Sequence, residues 1–205
     1  MTTKADICNL ALATLGERQT VASITPPDGS PRAGDCARWY PVALKAILEE
    51  HDWSFATTKV VPVQFADLDT ETWGWSYAYA VPADCVKVSA LTDAASSLRR
   101  PLRFEKSFYK NGEAIFCNSS KPILTYVAYV DHPSRYPSYF IQALATLLAA
   151  YLVGPVRRED SASQVSLRLM QAYREQLALA KSRDAENSVS RHPHHFASQL
   201  AARRI

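Results

Sequence analysis

Between Trp53 and Val130 the hydrophobic period of the chain changes from 3.6 to 2, and on both sides of that stretch it is helical. This single switch constrains the fold more than any motif. The two helical segments must bury their apolar faces, and the β-rich stretch has to sit between them in the chain. At 205 residues the polypeptide is near the upper size for one compact core. The expected fold class is therefore α+β: a helical bundle of about four helices with an inserted antiparallel β-rich lobe and an extended C-terminal arm. The expected limits are one domain over 1–187, with helices in 5–53 and 137–186 and the lobe at 55–131, followed by an arm at 188–205.

The first helix is expected from about Asp6 to Leu15, with Thr3 and Asp6 as a weak capping box and Gly16 as its left-handed stop. Ile7, Leu10, Ala11, Thr14 and Leu15 follow the spacing of one helix face. The second helix has Ser30 as cap and Pro31 at its first position, and extends to about Asp52. Its buried stripe is Cys36, Tyr40, Leu44, Ile47, Leu48 and His51, and Pro41 should bend it or divide it in two. A third helix from about Pro137 is expected to stop at Val153, before Gly154-Pro155. It is apolar on nearly every side, so it is either central to the core or shared with a neighbouring subunit. The fourth runs from about Ser161 to Arg183 on a spine of Val165, Leu169, Tyr173 and Leu177.

In the β-rich stretch, Thr57 to Gln64 carries Pro62 and reads as an edge strand. Trp75 to Val81 and Cys85 to Leu91 flank the turn Pro82-Ala83-Asp84. Leu102 to Lys110 and Glu113 to Cys117 are joined by Asn111-Gly112, a two-residue loop suited to a type I′ hairpin, and Ile123 to Val130 follows. The expectation is an antiparallel meander. Trp53, Trp73, Trp75, Tyr77 and Tyr79 lack interleaved Lys or Arg, so they suit cross-strand packing better than base stacking.

The chain carries 23 Lys plus Arg and 20 Asp plus Glu. Three of the arginines, Arg191, Arg203 and Arg204, fall in 187–205, where there is no acid; residues 1–186 then hold 20 of each sign. A neutral body is not a general nucleic-acid binder, and the excess charge lies in the tail. No apolar run is seen to reach the roughly 18–20 residues of a membrane span, and Asp6 interrupts what a signal peptide would need, so neither membrane insertion nor export is expected. Cys8, Cys36, Cys85 and Cys117 are widely spaced within apolar patterns and read as reduced, buried thiols rather than zinc ligands.

A search for chemistry returns little. Phosphate-binding loops, the Gly-x-Ser-x-Gly elbow and the His-Glu-x-x-His zinc helix are missing from the sequence. Glu49, Glu50, Asp52, Asp67, Asp69 and Glu71 are the acids worth weighing as a catalytic pair, but a solvated helix end and a polar loop explain them. His192, His194 and His195 are interrupted by Pro193 and make a poor metal set, and His51 suits a hydrogen-bonded boundary position.

The order of several short motifs is similar to one known family. Ile7-Cys8-Asn9-Leu10-Ala11-Leu12 with Leu15-Gly16-Glu17, then Cys36-Ala37-Arg38-Trp39-Tyr40-Pro41 and His51-Asp52-Trp53-Ser54-Phe55-Ala56, form the first part of the series. Trp75 to Val88, Gly112 to Phe116, Tyr126 to Tyr129 and Tyr136-Pro137-Ser138-Tyr139-Phe140 continue it. The set resembles the tail tubular protein A family of short-tailed bacteriophages, the head-to-tail adaptors or gatekeepers, over about residues 5 to 185. The resemblance implies a structural virion protein at the head–tail junction, made in the host cytoplasm. It implies a ring, a dodecamer in that family, between the portal protein and the tail or nozzle protein, with double-stranded DNA passing through without sequence specificity.

On this reading there is no catalytic residue, cofactor or metal. Phe140, Leu144, Leu148 and Tyr151 are expected at the subunit interface. Arg191, His192, Phe196, Leu200, Arg203, Arg204 and Ile205 are expected to form a portal-docking arm. A virion-associated cell-wall glycan hydrolase and a connector or tail-completion ring of a long-tailed phage are the alternatives.

Overall fold

A computed structural model describes residues 1–94, 101–110, 112–156 and 162–189, the side chains of the last segment through 187. The architecture is α+β, as expected: four long helices, one short one and two small antiparallel sheets. In chain order the elements are α1 (Lys4–Thr14), α2 (Pro31–Glu49), β1 (Thr57–Val60), α3 (Thr70–Trp73), β2 (Tyr77–Ala80) and β3 (Cys85–Asp93). β4 (Glu105–Tyr109), β5 (Gly112–Cys117), β6 (Pro122–Ala128), α4 (Ser138–Val156) and α5 (Ala162–Val189) follow. The chain divides into two compact units, one made of 1–47 with the residues from 131 onward, the other of 48–130.

In the helical unit the capping box of α1 is complete. The Asp6 amide donates to Thr3 Oγ1 at 3.1 Å and the Thr3 amide donates to Asp6 Oδ2 at 2.8 Å. These two bonds satisfy donors that the first turn leaves without helical partners. Gly16 stops the helix with φ at +76°. The buried face differs from the expected one: Ile7, Cys8, Ala11, Leu12 and Leu15 are inside, whereas Leu10 and Thr14 are exposed. Both sets have helical spacing, and the buried one is the face that meets α4.

α2 begins at Pro31, with Ser30 Oγ accepting from the Ala33 amide at 3.1 Å, and continues through Pro41 as one helix. Cys36, Tyr40, Leu44, Ile47 and Leu48 are all buried, as the stripe predicts, while His51 lies past the helix end and is half-buried. Arg32 Nη1 donates to Pro155 O at 3.3 Å and Trp39 meets Tyr151 at a ring separation of 5.6 Å, so the start of α2 lies along the end of α4.

α4 packs against both α1 and α5 and is the centre of this unit. Eleven of its residues are buried, Phe140 and Leu147 among them. The helix does not stop at Val153: it takes in Gly154-Pro155 and ends at Val156. Proline disfavours helical backbone at the preceding residue partly through that residue's Cβ, and glycine has none. Of the expected spine, Tyr173 and Leu177 are buried and Val165 and Leu169 are half-buried; α5 also buries Ala180. It also extends through Val189, so the first two residues of the expected arm are helical and the remainder, 190–205, lies outside the described residues.

The β unit is not a meander. One sheet has the order β1-β6-β3 and the other β2-β5-β4, all neighbours antiparallel. The turn at Pro82-Ala83-Asp84 transfers the chain between sheets instead of folding β2 onto β3. Before it, the Val81 amide donates to Glu113 O at 3.0 Å, holding β2 on β5. After it, the Tyr129 amide donates to Asp84 O at 2.7 Å and Tyr126 Oη donates to Asp84 Oδ1 at 3.1 Å, drawing β3 to β6. β1 is an edge strand, as Pro62 suggests.

The β4–β5 hairpin is present, but Tyr109 pairs with Gly112, so its two-residue loop is Lys110 and position 111. Lys110 adopts a left-handed conformation, with φ at +54°. Its ammonium offsets part of that cost, 3.3 Å from Asp67 Oδ2 and 5.6 Å from the Tyr109 ring centroid.

One core cluster of the unit joins Ala78, Ala114 and Phe116 to Phe65, Leu68, Trp73, Trp75 and Tyr109. Trp73 stacks on Phe116 at 4.5 Å with 9° between planes, and Tyr109 meets Trp73 edge-on at 5.8 Å. Aromatic packing, the expected role of this stretch, describes Trp73 well.

Candidate interaction surfaces

The β unit leaves two kinds of surface open. Beyond β1 the backbone at 63–65 continues onto the outer side of β2: the Ala80 amide donates to Val63 O at 2.8 Å, and the Phe65 amide to Ala78 O at 2.9 Å. Val61 and Val63 keep 67% and 75% of their surface exposed along this edge. At the opposite side of the same sheet β4 has no strand beyond it among the described residues, and Phe108 there is 73% exposed. Lys106 and Glu113 form an ion pair of 2.8 Å at this edge. Open edges with exposed apolar side chains are templates for association unless covered. On the helical unit Leu10, Val42, Leu167 and Leu179 are exposed singly, which is ordinary for a folded chain.

The residues expected at a subunit interface do not have that surface to offer. Phe140, Leu144 and Leu148 are each 0% exposed within one chain, because α4 is enclosed by its own helices. Only Tyr151 retains part of its surface, beside Trp39. The expectation is corrected: α4 is apolar all round because it is the core helix. By length and mean hydropathy, 19 residues at 1.6, α4 would also pass as a membrane span, which corrects the expectation that no such run exists. Of that window, 61% is buried inside the protein. The expected docking arm, Arg191, His192, Phe196, Leu200, Arg203, Arg204 and Ile205, lies outside the described residues, as do His194 and His195.

The acids weighed as catalysts serve local structure. Asp69 caps α3, accepting from the Glu71 amide at 3.1 Å and the Thr72 hydroxyl at 2.5 Å. Asp67 pairs with Lys110, Asp52 pairs with Lys87 at 3.0 Å, and Glu49, Glu50 and Glu71 are exposed. Partial burial works against the charge of Asp52, but the hydrogen bond and charge of the Lys87 ammonium hold its carboxyl below the usual range. His51 packs against Trp53 edge-on at 5.0 Å. Among the described residues no three His, Cys, Asp or Glu side chains are grouped to hold a metal ion.

All four cysteines are free, with Cys8, Cys36 and Cys117 buried and Cys85 half-buried. Cys8 and Cys36 share a hydrogen bond; that contact, followed by burial, drives Cys8 well above the ordinary thiol range. Tyr40 is likewise raised, by burial first and then by Tyr136 and Asp131. Nearby, Lys4 Nζ meets Asp131 Oδ2 at 2.5 Å.

The sequence reading missed one place altogether. A cleft of about 380 Å³ is lined by Gly74, Trp75, Asp93, Leu102, Arg103, Asn118 and Ser119. These residues precede β2, end β3, precede β4 and follow β5, so no single motif marks them.

No family model matches this chain, and no curated protein does. The adaptor reading therefore rests on the residues themselves.

Proposed function

We propose that this chain is a structural component of a phage virion, a ring-forming adaptor that docks beneath the portal, connects it to the tail and helps retain and pass the double-stranded genome. The observation that carries the reading is the order of elements. Two helices, a β-rich unit entered after α2 and left before α4, and two further helices form the arrangement that the motif series implies.

Two features support it physically. A closed ring needs a heterologous contact, in which two different faces of each subunit match. The β unit has two dissimilar exposed apolar features for such a contact, Val61 with Val63 beside β2 and Phe108 on β4. A body with 20 charges of each sign over residues 1–186 also suits a DNA passage, since strong phosphate binding would hold the genome back through counterion release. The basic tail beyond α5 serves as the portal-docking arm, weak in each copy and strengthened by repetition around the ring.

Co-sedimentation with the portal ring of the same virus tests the reading. The full chain is expected to sediment with the portal, and a chain lacking 190–205 is expected to lose most of that binding. Full binding by the truncated chain removes the arm from the account; no binding by the full chain removes the adaptor role.

A further inference from the structure

The hydrogen-bond register of the β4–β5 hairpin decides what its outer edge offers. Glu113 O accepts from the Val81 amide at 3.0 Å, so the backbone of Glu113 faces β2 and turns away from its cross-strand partner Phe108. Antiparallel ladders alternate bonded and non-bonded pairs. Ser107 and Tyr109, opposite Ala114 and Gly112, therefore direct their amides and carbonyls to β5, and those of Lys106 and Phe108 point outward. Among the described residues no strand meets them. Edges are usually guarded by a proline, a bulge or a cover. Glu105–Tyr109 holds no proline and pairs with β5 without a register shift. On the far side of the sheet, by contrast, Pro62 has no amide to offer just before the segment at 63–65 that lies on β2.

The β4 edge is complementary to itself. A two-fold axis through Ser107 sets Lys106 opposite Phe108 of the second copy, and every outward amide and carbonyl of the two residues finds a partner. Lys106 and Phe108 share one face of the sheet, so the Lys106 stem covers the Phe108 ring of the other copy, 73% exposed in a single chain. The acidic end of one strand, Glu105, meets the basic end of the other, Lys110, and no like charges stand opposite each other. We propose that the outer edge of β4 binds a second copy of this chain, forming a two-fold pair by antiparallel strand addition. So short a contact falls below the roughly 1,200 Å² of a standard interface, which makes the pair concentration-dependent. The contact is isologous, unlike that of a ring, and does not rest on the adaptor reading; it covers Phe108, so pairing and a ring contact through that side chain exclude each other.

The test follows the full chain without portal by sedimentation equilibrium and amide hydrogen exchange, from about 5 μM to about 1 mM, the range in which a weak edge contact associates. The mass is expected to rise from one chain towards two. Exchange at the Lys106 and Phe108 amides should slow with concentration, whereas exchange at Ser107 and Tyr109, already bonded to β5, should not change. Phe108→Lys places a like charge opposite Lys106 of the second copy and should weaken pairing roughly tenfold or more. Lys106→Pro removes an outward amide that β5 does not use and gives a second reading if Phe108→Lys does not fold. A single-chain mass throughout, or association that leaves the Lys106 and Phe108 amides and both variants unaffected, overturns the proposal.

Discussion

Replacing Leu148 by alanine separates an intrachain core from an interface. Leu148 is 0% exposed on the central helix of its unit. The substitution removes transfer free energy and leaves a cavity that the surrounding helices fill only in part. For buried leucines this combination costs about 3–5 kcal/mol. In a chain of this length 1 kcal/mol lowers Tm by roughly 2–4 °C, so a fall of roughly 6–20 °C is expected. The assay is thermal and urea unfolding, followed by circular dichroism, at two protein concentrations tenfold apart. Because the burial is within one chain, the loss should be the same at both. Leu167→Ala, at a site 72% exposed, should stay within about 0.5 kcal/mol of the parent. A loss below about 1 kcal/mol for Leu148→Ala, or one that disappears at the higher concentration, would refute the packing argument.

Thr3→Ala should cost about 1 kcal/mol and speed hydrogen exchange at the Asp6 amide, which loses its acceptor in the capping box. Asp28 is held at about 2 by hydrogen bonds from the Ser30 hydroxyl and amide and from the Ala22 amide, against 3.8 for a free carboxyl. The folded value is the lower one, so its support is present above about pH 4 and is lost as pH falls towards 2. Exchange at the Ala22 and Ser30 amides should quicken across that window, and Asp28→Asn should remove the pH dependence. A thiol reagent added to the native protein should modify Cys85 first, since the other three cysteines are buried, and Cys85→Ser should abolish that early phase. Raised by burial, even Cys85 should react more slowly than a free thiol.

The helices were legible because their signals are local. Thr3 with Asp6, Ser30 with Pro31, and Gly16 each determine a boundary through backbone groups a few residues away. The face of α1 was not, since Leu10 and Leu12 are equally apolar and only the position of α4 decides which is covered. The strands were also legible one by one, but not their partners. Sheet order depends on bonds such as that of the Tyr129 amide to Asp84 O, across 45 residues of sequence, and on the β-bulges of β3, which no alternation pattern announces. The same holds for sites. The all-apolar helix allowed two readings, core or subunit contact, and burial selects the first for Phe140, Leu144 and Leu148. The cleft around Trp75 could not be found in the sequence because its lining comes from four separated segments.

The adaptor role is tested most directly by native mass spectrometry of the purified protein, alone and after addition of the portal ring from the same virus. The account predicts a discrete complex in which the portal carries a closed set of copies of this chain, with twelve as the number the family resemblance implies. A portal whose mass is unchanged after mixing, at concentrations where both proteins are folded, would contradict it.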